Sequence, residues 1–225
     1  MANREAAVPN EVETAFNIGS INKVFTLIAI RQLALAGKLE LDSTLSRYWP
    51  DYPIQEVARK VTVRQLLQHR SGIGDNIFGE PAGGTRKTLR RLSNFLPLFV
   101  YEPAGMTRTA HYAVDSLPPN TAIGYTRREQ DAPDSVPRHL NTALLPGRGS
   151  STGGGYSTAH DLLRFVQALR EAKIPGGVPA GLGVAGGTGG INAIVEGELP
   201  GGYDLTVLIN LDPPTAERVA RPVRG

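Results

Sequence analysis

The sequence predicts a mixed α/β fold of the α+β kind, an antiparallel sheet ending in a C-terminal hairpin and packed against helices. Three observations carry that expectation: an apolar run of helical length from about Ser20 to Ala36, a cleanly capped helix in "STAHDLLRFVQALREAK", and two β-branched runs in "INAIVEGELPGGYDLTVLIN" around a turn containing Gly and Pro. With 225 residues, 40% of them hydrophobic, the chain is long enough for one sizeable core, so a single domain over residues 1–225 is expected.

Taken in order, the elements have local reasons. The first helix carries Val24, Leu27, Ile28, Ile30, Leu33 and Leu35 on more than one face, which predicts a largely buried helix, and Gly37 is placed to end it. "LDSTLSRYWPDYP" reads as turns and a short helical piece. "VTVRQLLQHRSGIGD" offers Thr62 as an N-cap, an apolar pair at Leu66 and Leu67, and Gly72 as a stop, predicting a second, shorter helix. Between Asp75 and Asn141 the signals are mixed, with "KTLRRLSNFLPLFV" compatible with a helix and the Pro-rich remainder reading as loop. Thirteen of the 26 glycines lie between Pro146 and Gly190, which excludes continuous regular structure there except for the helix capped by Ser157 or Thr158. The stretch at about 174–190, "IPGGVPAGLGVAGGTGG" within it, has the composition of a linker. No internal repeat is present.

Composition removes several classes of function. Lys and Arg (24) barely exceed Asp and Glu (21), the formal charge is +3, and the longest basic cluster is "GTRKTLRR", so nucleic acid is not implied. Cysteine is absent, which rules out disulfides and thiolate chemistry while fitting either a reducing or an oxidising compartment. No stretch approaches the length of a membrane span, and "MANREAAVPNEVE" lacks the apolar centre of a secretion signal, so the chain reads as soluble with its compartment left open.

The chemistry concentrates in "FNIGSINKVFTL". Residues three apart on a helix share a face, so Ser20 Oγ and Lys23 Nζ converge if the helix begins near Ser20. The positive end of the helix dipole and apolar neighbours both disfavour an ammonium in that first turn, which favours a neutral amine able to take a proton from a serine hydroxyl. The same helix start aims the Ser20 backbone N–H at a developing oxyanion. A plainer reading stands beside this one, because serine is a common N-cap and a first-turn lysine can snorkel to solvent.

"FNIGSINKVFTLIAIRQLALAGKLELDSTLSRYWPDYP", "VTVRQLLQHRSGIGD", "YEPAGMTRT", "AIGYTR", "GRGSSTGGGYSTAHDLLRF" and "INAIVE...YDLTVLINLDPP" together resemble, in order, the serine β-lactamase and penicillin-binding-protein family. The likeness is strongest to the branch holding class C β-lactamases, D-alanyl-D-alanine carboxypeptidases and related esterases. The resemblance implies a β-lactamase-like fold with Ser20 as acylated nucleophile, Lys23 as its partner in proton transfer, and no metal or organic cofactor. It implies an ester, amide or β-lactam substrate, and relatives that are often exported.

The sequence also departs from that family. No Tyr-x-Asn second motif occurs, and the only Ser-x-Asn is Ser20-Ile21-Asn22, inside the first. The third motif, Lys-Thr-Gly or His-x-Gly, aligns with Val184-Ala185-Gly186, which holds no cation; Gly187 would then supply the second oxyanion N–H, although the repeated glycines allow a slip of one. The family's opening strands are expected to be missing, leaving a sheet edge open to self-association. A hydrolase with altered turnover is therefore expected, with a catalytically impaired homologue that serves in binding or association as the alternative. His69, His111, His139 and His160 show no metal-ligand or triad spacing and read as surface or structural residues. "GSSTGGGYST" lacks a phosphate-loop ending and reads as a rim loop, and Tyr156 within it reads as turn packing rather than a substitute for the missing tyrosine.

Overall fold

A computed structural model describes residues 1–73, 95–127, 133, 135–179 and 181–224. Its centre is a three-stranded antiparallel sheet in the order β5 (Gly183–Thr188), β6 (Ile191–Leu199), β7 (Tyr203–Ile209). The hairpin expected at the C-terminal end is β6–β7, with Ala193 opposite Leu208 and Val195 opposite Thr206. Both Ala193 and Val195 are fully buried, which is why a β-branched run was needed on the central strand. No N-terminal strand joins this sheet among the described residues, and none pairs with the outer edge of β7.

Two two-residue pairings brace the loops. β1 (Phe16–Asn17) pairs antiparallel with β4 (Tyr156–Ser157), and β2 (Tyr125–Thr126) with β3 (His139–Leu140). The first of these sets Asn17 opposite Tyr156 and so brings the glycine-rich loop before Tyr156 beside the turn that follows Asn17.

The long helix α1 spans Asn22–Leu35 and is preceded by a 3-10 turn, Gly19–Ile21, that holds Ser20. Its burial is more one-sided than the sequence suggests. Val24, Phe25, Ile28 and Ala29 are buried, while Leu35 is 72% exposed, because only the first three turns lie against the sheet and its neighbours. Three short helices follow, α2 (Leu45–Tyr48), α3 (Gln55–Lys60) and α4 (Val63–Leu67). The last is closed at its start by a capping box, Thr62 accepting from the Gln65 amide while the Gln65 side chain accepts from the Thr62 amide. It ends at Leu67, before the Gly72 stop, because His69 already turns into the left-handed region at φ 54°.

Residues 74–94, including most of "KTLRRLSNFLPLFV", lie outside the described residues. The described end of that stretch is helical, with a π turn at Pro97–Tyr101. Helix α5 (Ala159–Arg170) starts on Thr158, whose hydroxyl accepts from the Asp161 amide. Asp161 is itself buried, and its carboxylate accepts from the Arg108 amide at 2.7 Å and the Thr109 hydroxyl at 2.8 Å, fastening "MTRT" to the helix start.

Two features correct the sequence reading. Within the linker-like stretch at about 174–190, residues Gly183–Thr188 form β5, an edge strand whose Gly186 and Gly187 are required by close packing rather than by flexibility. Past the hairpin, α6 (Thr215–Ala220) buries Ala216 and Ala220 against the sheet, a helix too short and too alanine-poor in apolar signal to be read from periodicity.

Phe25 is the hub of the core, edge-to-face with Tyr101 at 5.3 Å and with Phe165 at 5.0 Å, so one ring joins α1, the π turn and α5. Removing it leaves a cavity that three rigid elements border. Phe25→Ala is expected to lower unfolding free energy by about 3–5 kcal/mol, measured as a shifted urea midpoint at unchanged slope.

Candidate active site

The turn at Gly19–Ser20 is held between two glycine-rich segments. On one side, β5 comes so close that a Cβ on Gly186 would stand 2.2 Å from the Ile18 carbonyl oxygen and 2.7 Å from the Ser20 nitrogen. In the other direction, a Cβ on Gly19 would lie 3.0 Å from the Gly187 nitrogen, and Gly19 itself has φ 51°. Only glycine satisfies both requirements at these positions. The Gly186–Gly187 backbone thereby packs directly on the Gly19–Ser20 turn, along the edge of β5 that no strand covers among the described residues.

On the other side runs the loop 149–155. Its three successive carbonyls at 150, 151 and 152 each accept a hydrogen bond from the first turns of α1. Asn22 Nδ2 donates to Ser150 O at 2.7 Å, Thr26 Oγ1 to Ser151 O at 2.7 Å, and Lys23 Nζ to Thr152 O at 2.9 Å. Lys23 Nζ also lies 2.6 Å from Ser20 Oγ. Ser20 and Lys23 therefore converge as their three-residue spacing predicts, with the lysine second in α1 and no acidic residue in that helix's first turn. Such a cation faces the positive end of the helix dipole, and the Thr152 carbonyl offsets part of that repulsion.

The donor side of this loop was not foreseen. Asn22 and Thr26 are four apart and, with Ser20 and Lys23, are the only polar residues between Ser20 and Ala29. That polar stripe through an apolar run was the available signal. His111 was also read as merely structural or surface. It is 7% exposed, and its ring edge flanks the loop, with a Cβ on Gly149 coming 2.8 Å from His111 Cδ2. Burial pushes the imidazole below its usual pKa; a hydrogen-bonding contact with the Ser150 backbone opposes the shift, and the Arg148 guanidinium adds to it.

Tyr156 is held in local packing. It is 2% exposed, its ring is tilted against Tyr112 at 5.9 Å, and burial raises its phenol against a hydrogen bond with Asn17 that lowers it. His69 and His139 are exposed, and His160 pairs with Glu13 on the surface. Val184-Ala185-Gly186 presents no cationic side chain. Among the described residues, no three His, Asp or Glu side chains cluster as metal ligands would, and no helix is long and apolar enough to cross a membrane.

The Beta-lactamase family model matches residues 1–99, which include the whole turn at Ser20 and Lys23. The fold agrees: a crystal structure of a penicillin binding protein from Bacillus halodurans superposes with a TM-score of 0.78 at 24% identity, over 99% of this chain and 90% of that one. The chain is similar over residues 1–99 to the Beta-lactamase family and has the fold of penicillin-binding proteins. Members of this family are serine hydrolases. Among curated relatives, PbpX of Bacillus subtilis (strain 168), which carries a penicillin-binding-protein name, is 26% identical over 209 residues, covering 77% of this chain and 51% of its own length. Esterase EstB of Burkholderia gladioli is 32% identical over 77 residues, 33% of this chain and 20% of EstB. The chain thus spans about half the length of PbpX.

The fit of β5 against the Ser20 turn can be tested directly. Gly186→Ala forces the strand outward and is expected to cost about 1–3 kcal/mol, as overpacking does. Gly183→Ala, on the same strand with nothing within 4 Å of the added methyl, is expected to leave thermal unfolding unchanged. Equal melting shifts for the two variants would contradict the packing described.

Proposed function

We propose that this chain is a serine hydrolase that cleaves a neutral ester through an acyl-enzyme on Ser20. The observation that carries the reading is the 2.6 Å approach of Lys23 Nζ to Ser20 Oγ beside the Ser20 and Gly187 amides. In its neutral form Lys23 takes the hydroxyl proton as Ser20 Oγ attacks the ester carbonyl. Negative charge gathers on the former carbonyl oxygen, where the two amides stabilise it. The tetrahedral species collapses by breaking the bond to the alkoxy oxygen, and Lys23 returns its proton to the departing alcohol. Water then attacks the acyl-serine carbonyl by the same path in reverse order, releasing the acid and restoring Ser20.

The preference for a neutral substrate follows from what lines the strand. A carboxylate-bearing donor such as a penicillin or a D-alanyl peptide gains from a cation beside β5, and Val184, Ala185 and Gly186 supply none. An ester also has the better leaving group, so it tolerates the lack of a tyrosine proton donor better than an amide does. The absence of both later motifs is the observation favouring the second reading, a homologue that keeps the fold for binding or association. Folding as one domain over 1–225 belongs to the same proposal.

The test is to incubate the purified protein with a p-nitrophenyl ester and, separately, a fluorescent penicillin, following product release and the mass of the protein. Ester turnover with a transient adduct on Ser20 is expected, with slower labelling by the penicillin. Ser20→Ala should abolish adduct and turnover, and Lys23→Ala should slow acylation about 10²–10⁴-fold, the usual range for a lost general base. A folded protein that forms no adduct and releases no product would leave the binding reading in its place.

A further inference from the structure

Thr26 lies one turn beyond Asn22 on α1, where a helical threonine hydroxyl ordinarily bonds back to the carbonyl four residues earlier. At Thr26 that contact is stretched to 3.5 Å from the Asn22 carbonyl oxygen, beyond the usual hydroxyl range, while Ser151 O lies at 2.7 Å. A hydroxyl has one proton to give, and the shorter contact takes it, so Thr26 serves the loop 149–155 rather than its own helix. Two further contacts fix the same loop. Asn22, which is fully buried, donates to Ser150 O at 2.7 Å, and the Ile18 amide donates to Gly155 O at 2.9 Å. Between them Gly153 passes over the reactive turn, where an added Cβ would meet the Gly19 carbonyl oxygen at 3.4 Å.

The next carbonyl along the loop is the one that Lys23 uses. Ser151 O and Thr152 O belong to successive planar peptide units, so clamping the first limits how the second can turn. Lys23 Nζ donates to Thr152 O at 2.9 Å and lies 2.6 Å from Ser20 Oγ. A carbonyl oxygen only accepts, so it takes an N–H of the amine. In a neutral amine that leaves one N–H and one lone pair, and the carbonyl's hold stops free rotation about the Cε–Nζ bond. The lone pair can then stay on the Ser20 hydroxyl, as general-base action requires. A flexible four-carbon lysine stem has no such orientation of its own.

We propose that Thr26 is a positioning residue for Lys23: its hydroxyl pins the Ser151 carbonyl and, through the next peptide unit, the Thr152 carbonyl that orients the lysine amine toward Ser20. The inference rests on the hydrolase reading for its catalytic meaning. The holding of the amine stands apart from it. Asn22 pins the preceding carbonyl from the same face of α1, so two adjacent peptide units are fixed before the one that meets Lys23. Because Thr26 acts through the loop and then through Lys23, its removal counts for little once the amine is gone.

Thr26→Val keeps the branched shape and removes the hydroxyl, and Thr26→Ser restores the hydroxyl without the methyl group. In ester hydrolysis kcat is expected to fall about 10–100-fold in Thr26→Val with KM changing less than about threefold, the mark of misplaced reacting groups rather than lost binding, and to recover to within about threefold of wild type in Thr26→Ser. Added to Lys23→Ala, Thr26→Val should slow Ser20 acylation by less than about a further threefold, because the two residues act as a unit. Reductive methylation of Lys23, read by mass, should quicken about tenfold in Thr26→Val and stay near wild type in Thr26→Ser, and deuterium exchange of residues 149–156 should quicken with it, since both report opening of the loop. An unchanged kcat in Thr26→Val, no recovery in Thr26→Ser, or a full further loss on top of Lys23→Ala would overturn the proposal. Should the valine variant fail to fold, Thr26→Ala takes its place against the same serine control. A wild type that forms no Ser20 adduct would sink the hydrolase reading alone, and methylation and exchange would then decide: equal rates in wild type and Thr26→Val refute the anchoring of Lys23.

Discussion

The approach of the β5 backbone to the turn at Gly19–Ser20 is the constraint on which the rest of the site depends. Two main chains meet there without side chains between them, and the turn so held carries Ser20, whose Oγ lies 2.6 Å from Lys23 Nζ. A contact of this kind freezes no side-chain rotamers, although ordering glycine backbone costs more conformational entropy than ordering any other residue. It does require that both segments be fixed from elsewhere. The turn is fixed by α1, whose Phe25 is clamped by two other aromatic rings, and the strand is fixed by its ladder to β6.

The loop 149–155 supplies the opposite wall by a different device. Its backbone makes one internal bond, Ser150 N to Gly153 O, its Gly155 carbonyl accepts from the Ile18 amide, and the carbonyls at 150, 151 and 152 accept from side chains of α1. A glycine-rich loop left alone would sample many conformations. Held at three consecutive carbonyls, it has few left, and the lysine that helps to hold it is the same residue placed to move a proton. Structure and proposed chemistry therefore share one side chain, and neither can be altered without the other.

Much of this was legible in the sequence. The Ser20 and Lys23 pair, the Thr62 and Thr158 caps and the terminal hairpin each follow from a local pattern whose physics is short in range. What escaped depends on contacts distant along the chain. β5 was hidden because glycine content normally signals a loop, and only the distant Ile18 and Ser20 backbones explain why side chains are excluded there. His111 has no neighbour in sequence that explains its burial; it packs on the distant segment around Arg148, Gly149 and Ser150. Helix α6 has six residues and two buried alanines, too few for a period to emerge.

Asn192 ties that last helix into the same framework. Its side-chain oxygen accepts from the Ala216 amide at 2.7 Å, near the start of α6, and it stands across the ladder from Gly187. The C-terminal segment is therefore a brace behind the strand that faces Ser20. A displacement of residues beyond Pro214 would be transmitted to the Ser20 turn as slack in that strand.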